Sequence, residues 1–215
     1  MDSSYPITYQ FFLYIGLALS VMIASCTAYI IAGFCMKHKR LRIEFNRYTF
    51  LSLCASSLII GVGYIRFGPG FRYVEATLFM MAILVITMCD MMGRRIPNKI
   101  VMVTLLSGVV LHFFFFSGSS LLQSILGSVV GFFVMFGLQI VSRNNLGMGD
   151  VKLFAVIGFF LGWKSCLAAV LLTSIFGGIH ALVYVSFKGF NEGSSIPYAP
   201  SAALASSLLL YGFQT

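Results

Sequence analysis

Two aspartates stand at the ends of strongly apolar runs in this chain. Asp90 follows ATLFMMAILVITMC, and Asp150 precedes VKLFAVIGFFLG. A charged group at membrane depth costs about 2.5–3.5 kcal/mol on insertion scales, so it is interpreted by default as part of a functional site facing the bundle interior. The alternative for each aspartate is a helix cap at the polar interface. Two such residues at the same predicted face and depth favour a site.

Paired carboxylates can carry out hydrolysis. Two like charges about 4 Å apart repel each other by about 4 kcal/mol at an effective dielectric constant near 20, so they share one proton. One group then activates water as a base, while the other protonates the carbonyl oxygen or the leaving amine. No nucleophile paired with one of the three histidines competes convincingly. The pattern predicts aspartic-protease chemistry with Asp90 and Asp150 as catalytic residues.

The helix ends predict which aspartate carries the charge. Asp90 closes a predicted span, at the negative end of the helix dipole, whereas Asp150 opens one, where unpaired N–H groups favour an anion. We hypothesise that Asp150 is the carboxylate and that Asp90 more often holds the shared proton. The bias is about 0.3–1 kcal/mol at exposed helix ends and about 2 kcal/mol at partly buried ones. Lys152 either helps to keep Asp150 ionised or extends toward the interface.

The elements that must position these residues are transmembrane helices. Of the 215 residues, 59% are hydrophobic and 9% are charged, against about half and about a quarter in soluble domains. We predict an all-α integral membrane protein, with residues 1–215 forming a single transmembrane domain, a polytopic bundle of about eight transmembrane helices. The predicted spans are residues 9–36, 49–65, 74–90, 99–116, 120–141, 150–162, 165–187 and 199–213.

The basic residues predict the orientation of the chain. Eleven of the 14 lysines and arginines fall on one side of the predicted spans, and the positive-inside rule puts that side in the cytoplasm. Both termini are then periplasmic, and both aspartates lie at the cytoplasmic face. The net charge of +8 is mostly a topology signal. No nucleic-acid partner is expected, because KHKRLR belongs to a short loop beside a span.

Cysteines and glycines indicate how the helices pack. The five cysteines lack CxxC spacing, so they are interpreted as packing residues, and no metal site is predicted. The segments GSVVG (127–131) and GFFLG (158–162) have the GxxxG spacing that lets helices approach closely, inside the bundle or between subunits. Gly147 and Gly149 permit unusual backbone angles or close approach before Asp150. A flexible loop would explain them equally well.

Three segments at predicted cytoplasmic span ends carry a family resemblance. They are Gly147-Met148-Gly149-Asp150 followed by Lys152-Leu153, Asp90 followed by Arg95-Ile96-Pro97-Asn98, and Ile196-Pro197-Tyr198-Ala199-Pro200 before the last span. Together they resemble the GxGD membrane aspartyl proteases, and specifically the type IV prepilin peptidases. The resemblance covers roughly residues 74–212, which are expected to form the peptidase core.

The resemblance implies a substrate and a set of site residues. The substrates would be type IV prepilins or pseudopilins, whose short basic leader is removed after a glycine at the cytoplasmic face of the bacterial inner membrane. The expected surroundings are membrane lipid and the pilus or secretion machinery, with no cofactor and no metal. Asp90 and Asp150 would be catalytic, and the expected supporting or substrate-binding residues are Gly147, Gly149, Lys152, Pro97, Asn98 and Pro197.

One departure from the resembled family concerns methyl transfer. Long members have a cytoplasmic domain after the first span, often with two zinc-binding CxxC pairs, and they also methylate the new N-terminus. Here the corresponding loop is only residues 37–48 and has no CxxC. We therefore predict a peptidase without methyl transfer.

Two functions of other classes are alternatives to the peptidase. A proton-coupled carrier would use the aspartates to relay protons across the bilayer midplane, but both lie near one predicted face and no inverted repeat is evident. A noncatalytic scaffold subunit of a pilus or secretion machine would tolerate asparagine at either aspartate.

Overall fold

The computed structural model describes residues 47–68, 71–93, 96–115, 118–142, 146–188 and 198–212, which form six α-helices and no strand. A bilayer offers the backbone no water to bond with, so apolar segments such as these fold as helices. The helices are α1 (Arg47–Phe67), α2 (Phe71–Gly93), α3 (Asn98–Phe115), α4 (Gly118–Val141), α5 (Met148–Lys188) and α6 (Ala199–Gly212).

The chain divides into two compact units, residues 1–68 and 69–215. In the first unit the structure describes α1, and the predicted span 9–36 lies outside the described residues. The second unit holds α2 to α6 and includes the predicted peptidase core, residues 74–212. The prediction of one domain over the whole chain stays a prediction.

Three helices in the described ranges are long and apolar enough to cross a membrane. They contain the candidate spans Arg72–Met91, Leu121–Val141 and Met148–Ser186. The predicted class, an all-α membrane protein, is confirmed, but the count of about eight spans is not supported. Helix α6 has only 14 residues, short of the roughly 20 that a span needs. The predicted spans 150–162 and 165–187 correspond to the two parts of α5, which meet at a break in the helix at Gly162.

Helix α5 has 41 residues and breaks at Gly162, whose backbone angles are φ 77° and ψ 168°. This conformation is essentially restricted to glycine. The break divides α5 into an N-terminal segment, residues 148–162, and a C-terminal segment, residues 163–188. The break coincides with the predicted boundary between the spans 150–162 and 165–187, and the GFFLG segment provides both the break and a packing surface.

The N-terminal segment of α5 is the centre of the second unit. Every residue from Leu153 to Leu161 is buried. Phe160 stacks on Phe79 of α2 with ring centroids 4.9 Å apart, and Phe159 and Phe160 fill the space beside Gly108 of α3. A helix that is apolar on all sides is a core helix. Core packing therefore fixes the position of Asp150 at its start.

Helices α4 and α5 meet through glycines. A methyl group on Gly127 would overlap the backbone carbonyl of Gly158, and one on Gly158 would overlap the carbonyl of Gly127. Gly131 lies in the same way against the carbonyl of Phe154. The two backbones touch directly, so the close approach predicted from GxxxG spacing is confirmed inside the bundle.

Candidate active site

Asp90 lies in the last turn of α2 and is only 8% exposed. Its Oδ2 accepts a hydrogen bond of 3.1 Å from the backbone N–H of Ala199, the first residue of α6. The first N–H groups of a helix have no partner within that helix. The Asp90 carboxyl therefore caps α6 and connects the end of α2 to the start of α6.

Asp150 lies in the first turn of α5. Its backbone N–H donates to the Gly147 carbonyl over 3.0 Å, and its carboxyl accepts the backbone N–H of Gly147. Since Gly147 directly precedes the helix, the side chain reaches back to cap its own helix, as an acidic residue does in a capping box. These contacts fix the direction of the carboxyl.

The two carboxyls interact electrostatically with each other. One belongs to the end of α2 and the other to the start of α5, so the structure brings together the two aspartates that the sequence singled out. A pair of close carboxyls in a buried setting shares a proton, because both cannot be charged at low cost. Their catalytic roles stay a prediction.

The hypothesis about which aspartate is charged considered only the helix that carries each residue. Asp90 does lie at the negative end of α2, but its Oδ2 faces the N-terminus of α6. Each carboxyl therefore accepts a backbone N–H at a helix N-terminus. Both gain the same kind of dipole stabilisation, and the dipoles no longer assign the proton to Asp90.

The two glycines before Asp150 leave room for different neighbours. A methyl group on Gly149 would lie 3.0–3.3 Å from three side-chain atoms of Ile96, which precedes α3. A methyl group on Gly147 would lie 3.3 Å from Asp150 Oδ2. Neither glycine has a positive φ. Of the predicted reasons for these glycines, the structure therefore favours close approach over unusual backbone angles.

Lys152 and Asn98 form an exposed polar contact that joins α5 to α3. Lys152 Nζ donates to Asn98 Oδ1 over 2.8 Å. Asn98 begins α3 directly after Pro97, whose carbonyl accepts two N–H groups of the first turn. The sequence left two roles open for Lys152: keeping Asp150 ionised or extending toward the interface. In the structure, the hydrogen-bond partner of Lys152 is Asn98. Pro197 lies outside the described residues.

Tyr198, which was not among the predicted site residues, lies beside the pair. It precedes α6, interacts electrostatically with Asp150 and hydrogen-bonds to Ser174 in the C-terminal segment of α5. Its ring centroid lies 6.4 Å from that of Phe154. The sequence signal for Tyr198 is the segment IPYAP, of which only Pro197 is among the predicted site residues.

Comparisons with known proteins show which family this chain belongs to. Residues 76–182 match the type IV leader peptidase family. A prepilin leader peptidase/N-methyltransferase of Bacillus subtilis (strain 168) is 30% identical over 179 residues, which are 80% of this chain and 68% of that relative. The chain belongs to the type IV leader peptidase family. Proteins of the same name from Stutzerimonas stutzeri and Pseudomonas aeruginosa are 26% and 28% identical over 79% of the chain. No solved structure matches.

Membership of the type IV leader peptidase family makes the chain a membrane protease and confirms the resemblance. The matched residues include both aspartates and lie within the predicted peptidase core. The chain spans 60% of the length of the S. stutzeri and P. aeruginosa relatives. Methyl transfer and the other activities named for these longer relatives therefore come to this chain only as proposals.

This leader peptidase has a second buried polar cluster near the other end of α2. His112 Nε2 lies 3.0 Å from Ser124 Oγ, and His112 Nδ1 lies 3.2 Å from the Gly108 carbonyl and 3.5 Å from Glu75 Oε1. The order of groups resembles a serine–histidine–acid relay, which the sequence had not indicated. Because Ser124 is buried inside α4, the N–H groups around it are used by the helix and form no oxyanion hole. The cluster joins α2, α3 and α4.

Metal-binding and disulfide patterns were also compared with the structure. Within the described ranges, no group of three His, Cys, Asp or Glu side chains could hold a metal ion. No disulfide joins Cys54, Cys89 and Cys166 to one another. Cys89 and Cys166 are buried, as predicted for packing residues, whereas Cys54 is exposed. Cys26 and Cys35 lie outside the described residues.

Proposed function

We propose that Asp90 and Asp150 are the catalytic dyad of an aspartic endopeptidase that removes the short basic leader from type IV prepilins or pseudopilins, after a glycine. The observation that carries this proposal is the electrostatic interaction between two carboxyls from different helices in a mostly buried site. The family and the names of the relatives support the choice of substrate.

The proposed mechanism uses one water and one shared proton. The ionised carboxyl takes a proton from a water held between the pair, and the water oxygen attacks the carbonyl carbon of the scissile bond. The protonated carboxyl donates its proton to the carbonyl oxygen. When the C–N bond breaks, the leaving amine takes from the dyad the proton that came from water. A hydroxyl of the tetrahedral intermediate returns a proton to the dyad as it becomes the carbonyl of the new carboxyl group, so the dyad again carries one proton.

The neighbours of the dyad restrict its geometry. The Ala199 N–H holds Asp90, and the Gly147 N–H holds Asp150. Fixed donors of this kind keep both carboxyls in one arrangement before substrate arrives, which lowers the cost of reaching the transition state. We assign supporting or substrate-binding roles to Gly147, Gly149, Lys152, Pro97, Asn98 and Pro197.

The proposed location is the bacterial inner membrane, with the dyad at the cytoplasmic face and both termini in the periplasm. The basis is the positive-inside rule applied to the 11 basic residues on one side of the spans. A first span over residues 9–36 belongs to this proposal. The basic leader of the substrate would then lie in the cytoplasm and its apolar helix in the lipid, next to the pilus or secretion machinery.

Co-expression with a prepilin from the same genome tests the dyad. The wild-type chain should produce a leader-sized mobility shift, and Asp90→Asn and Asp150→Asn should each abolish it at unchanged membrane levels. Glu75→Gln is the matched control, because it makes the same change near the other end of α2 and keeps the oxygen that faces His112. This variant should cleave normally.

The same experiment separates the alternatives. Full cleavage by either aspartate variant refutes the dyad. Pilus assembly without cleavage by the wild-type chain indicates a scaffold, and aspartate-dependent proton uptake into vesicles without cleavage indicates a carrier. Mass spectrometry of the mature pilin N-terminus, in cells that hold only this enzyme, should find no methyl group; a methylated product overturns the proposal of a peptidase without methyl transfer.

A further inference from the structure

Tyr198 contacts both segments of α5 from its position before α6. Its ring lies 6.4 Å from the ring of Phe154, between centroids, in the N-terminal segment. On the C-terminal segment the ring passes over Gly177, where an added methyl group would already be in van der Waals contact at 3.5 Å. The hydroxyl hydrogen-bonds to Ser174, one turn earlier in the same segment. Tyr198 therefore connects the two sides of the break in α5.

The direction of the hydrogen bond between Tyr198 and Ser174 follows from the other bond that Ser174 makes. Ser174 Oγ donates to the Val170 carbonyl over 2.9 Å, which uses its only hydrogen, so Tyr198 is the donor. Burial raises the pKa of the Tyr198 phenol, and the charge of Asp150 adds to that increase. The phenol keeps its proton, and hence its role as donor, at neutral pH.

The backbone of Tyr198 continues directly into the group that holds Asp90. Its carbonyl accepts the N–H of Ala202 over 3.2 Å, which makes Tyr198 the N-cap of α6. The next N–H along the chain is that of Ala199, the donor to Asp90. A shift of Tyr198 therefore moves the Ala199 N–H, which donates to Asp90. It also moves the Tyr198 side chain, which interacts electrostatically with Asp150.

We infer that Tyr198, held by Ser174, is a positioning residue for the dyad: it fixes the start of α6 so that the Ala199 N–H meets Asp90. This inference rests on the proposed function. Tyr198 acts through the backbone of α6 and takes no part in the proton transfers. The Tyr198 and Ser174 hydroxyls form a single hydrogen bond, so removing either hydroxyl should have the same effect on cleavage.

The test compares kinetic variants in the leader-cleavage assay with purified full-length protein. Tyr198→Phe and Ser174→Ala should each lower kcat by about 2- to 12-fold, the range expected for one hydrogen bond, with little change in KM. The double variant should be no slower than the slower single variant, because both changes break the same bond. Ser174→Thr keeps a hydroxyl and should restore the rate.

The pH profile of kcat separates positioning from general stability. It should shift equally in Tyr198→Phe and Ser174→Ala, because both displace the donor to Asp90. Ser186→Ala is the matched control, since Ser186 makes the same bond to the carbonyl four residues earlier in α5 but is exposed. This control should leave the rate and the pH profile unchanged.

The inference is overturned if the losses of kcat in the double variant are additive, or if kcat falls while its pH profile is unchanged. It is also overturned if Ser174→Thr or Ser186→Ala is as slow as Ser174→Ala. Failure of the proposed function looks different, because Asp90→Asn or Asp150→Asn would then still cleave. If those two variants are inactive while Tyr198→Phe cleaves like the wild type, only the inference about Tyr198 fails.

Discussion

Gly149→Ala is the sharpest test of how the dyad is supported, because it adds one methyl group next to Asp150. The new methyl would lie 3.0 Å from Ile96 Cβ, 3.2 Å from Cγ1 and 3.3 Å from Cδ1, closer than the roughly 3.5–4.0 Å of an optimal carbon contact. Ile96 or the start of α5 must therefore move by a few tenths of an ångström, and overpacking of this kind costs about 1–3 kcal/mol. If the displaced residue is Asp150, the same free energy lowers kcat/KM by about 5- to 150-fold.

The assay pairs cleavage rates with thermal unfolding in detergent. Alanine in a helix is favoured over glycine by about 0.5–1 kcal/mol, so the free energy of unfolding should fall by less than the activation barrier rises. Ile96→Ala removes two of the three close atoms, and adding it to Gly149→Ala should recover at least half of the lost barrier. Gly137→Ala is the control, since nothing lies within 4 Å of its added methyl.

Two results would refute this reasoning. The first is a Gly149→Ala variant that cleaves at the wild-type rate, which would mean that the site absorbs the methyl group without moving Asp150. The second is strict additivity of Gly149→Ala and Ile96→Ala, since residues in contact should show an interaction energy of about 0.5 kcal/mol or more in a double-mutant cycle.

Two further predictions concern the frame around the dyad. Gly127→Ala should lower the free energy of unfolding by about 3 kcal/mol, because its methyl would meet the backbone of α5 and not a movable side chain; Gly137→Ala in the same helix should lower it by nothing, and equal unfolding curves for the two variants would contradict the packing described. Gly162→Ala should cost about 1–3 kcal/mol through backbone strain alone, although nothing lies within 4 Å of its added methyl; wild-type stability in chemical unfolding would show that α5 does not need its break.

Local patterns predicted those features that depend on one stretch of sequence. The apolar runs gave the membrane class, and the isolated acids pointed to Asp90 and Asp150, since an aspartate next to an apolar span is costly wherever the span lies. The GxxxG spacing predicted the close approach of α4 and α5, because glycine has no side chain to keep two helix backbones apart. The break at Gly162 agrees with the predicted end of the span 150–162, whereas the predicted count of about eight spans is not supported, since three helices in the described ranges are long and apolar enough to cross a membrane.

Contacts between distant segments were not predictable from such patterns. The bond from Ala199 to Asp90 joins residues 109 positions apart, and it overturned the dipole argument because the end of α2 meets the start of α6. Tyr198 belongs to a recognisable motif, but its position near Asp150 was not predicted. The hydrophobic periodicity of a helix does not show which other helix it faces. The partner of Lys152 was missed for the same reason.

The two carboxyls are held by parts of the molecule that differ in how firmly they are fixed. Residues 153–161 of α5 are all buried and touch the α4 backbone, so a movement of Asp150 at the start of this helix disturbs the core. The hydrogen bond described for Asp90 comes from the first N–H of α6, whose position depends on Tyr198 and Ser174. Ser174 lies beyond Gly162, so the angle of the break sets where α6 begins and how its N–H meets Asp90. The break in α5 is therefore part of the geometry of the dyad, and strain introduced at Gly162 should reach the cleavage rate as well as the stability.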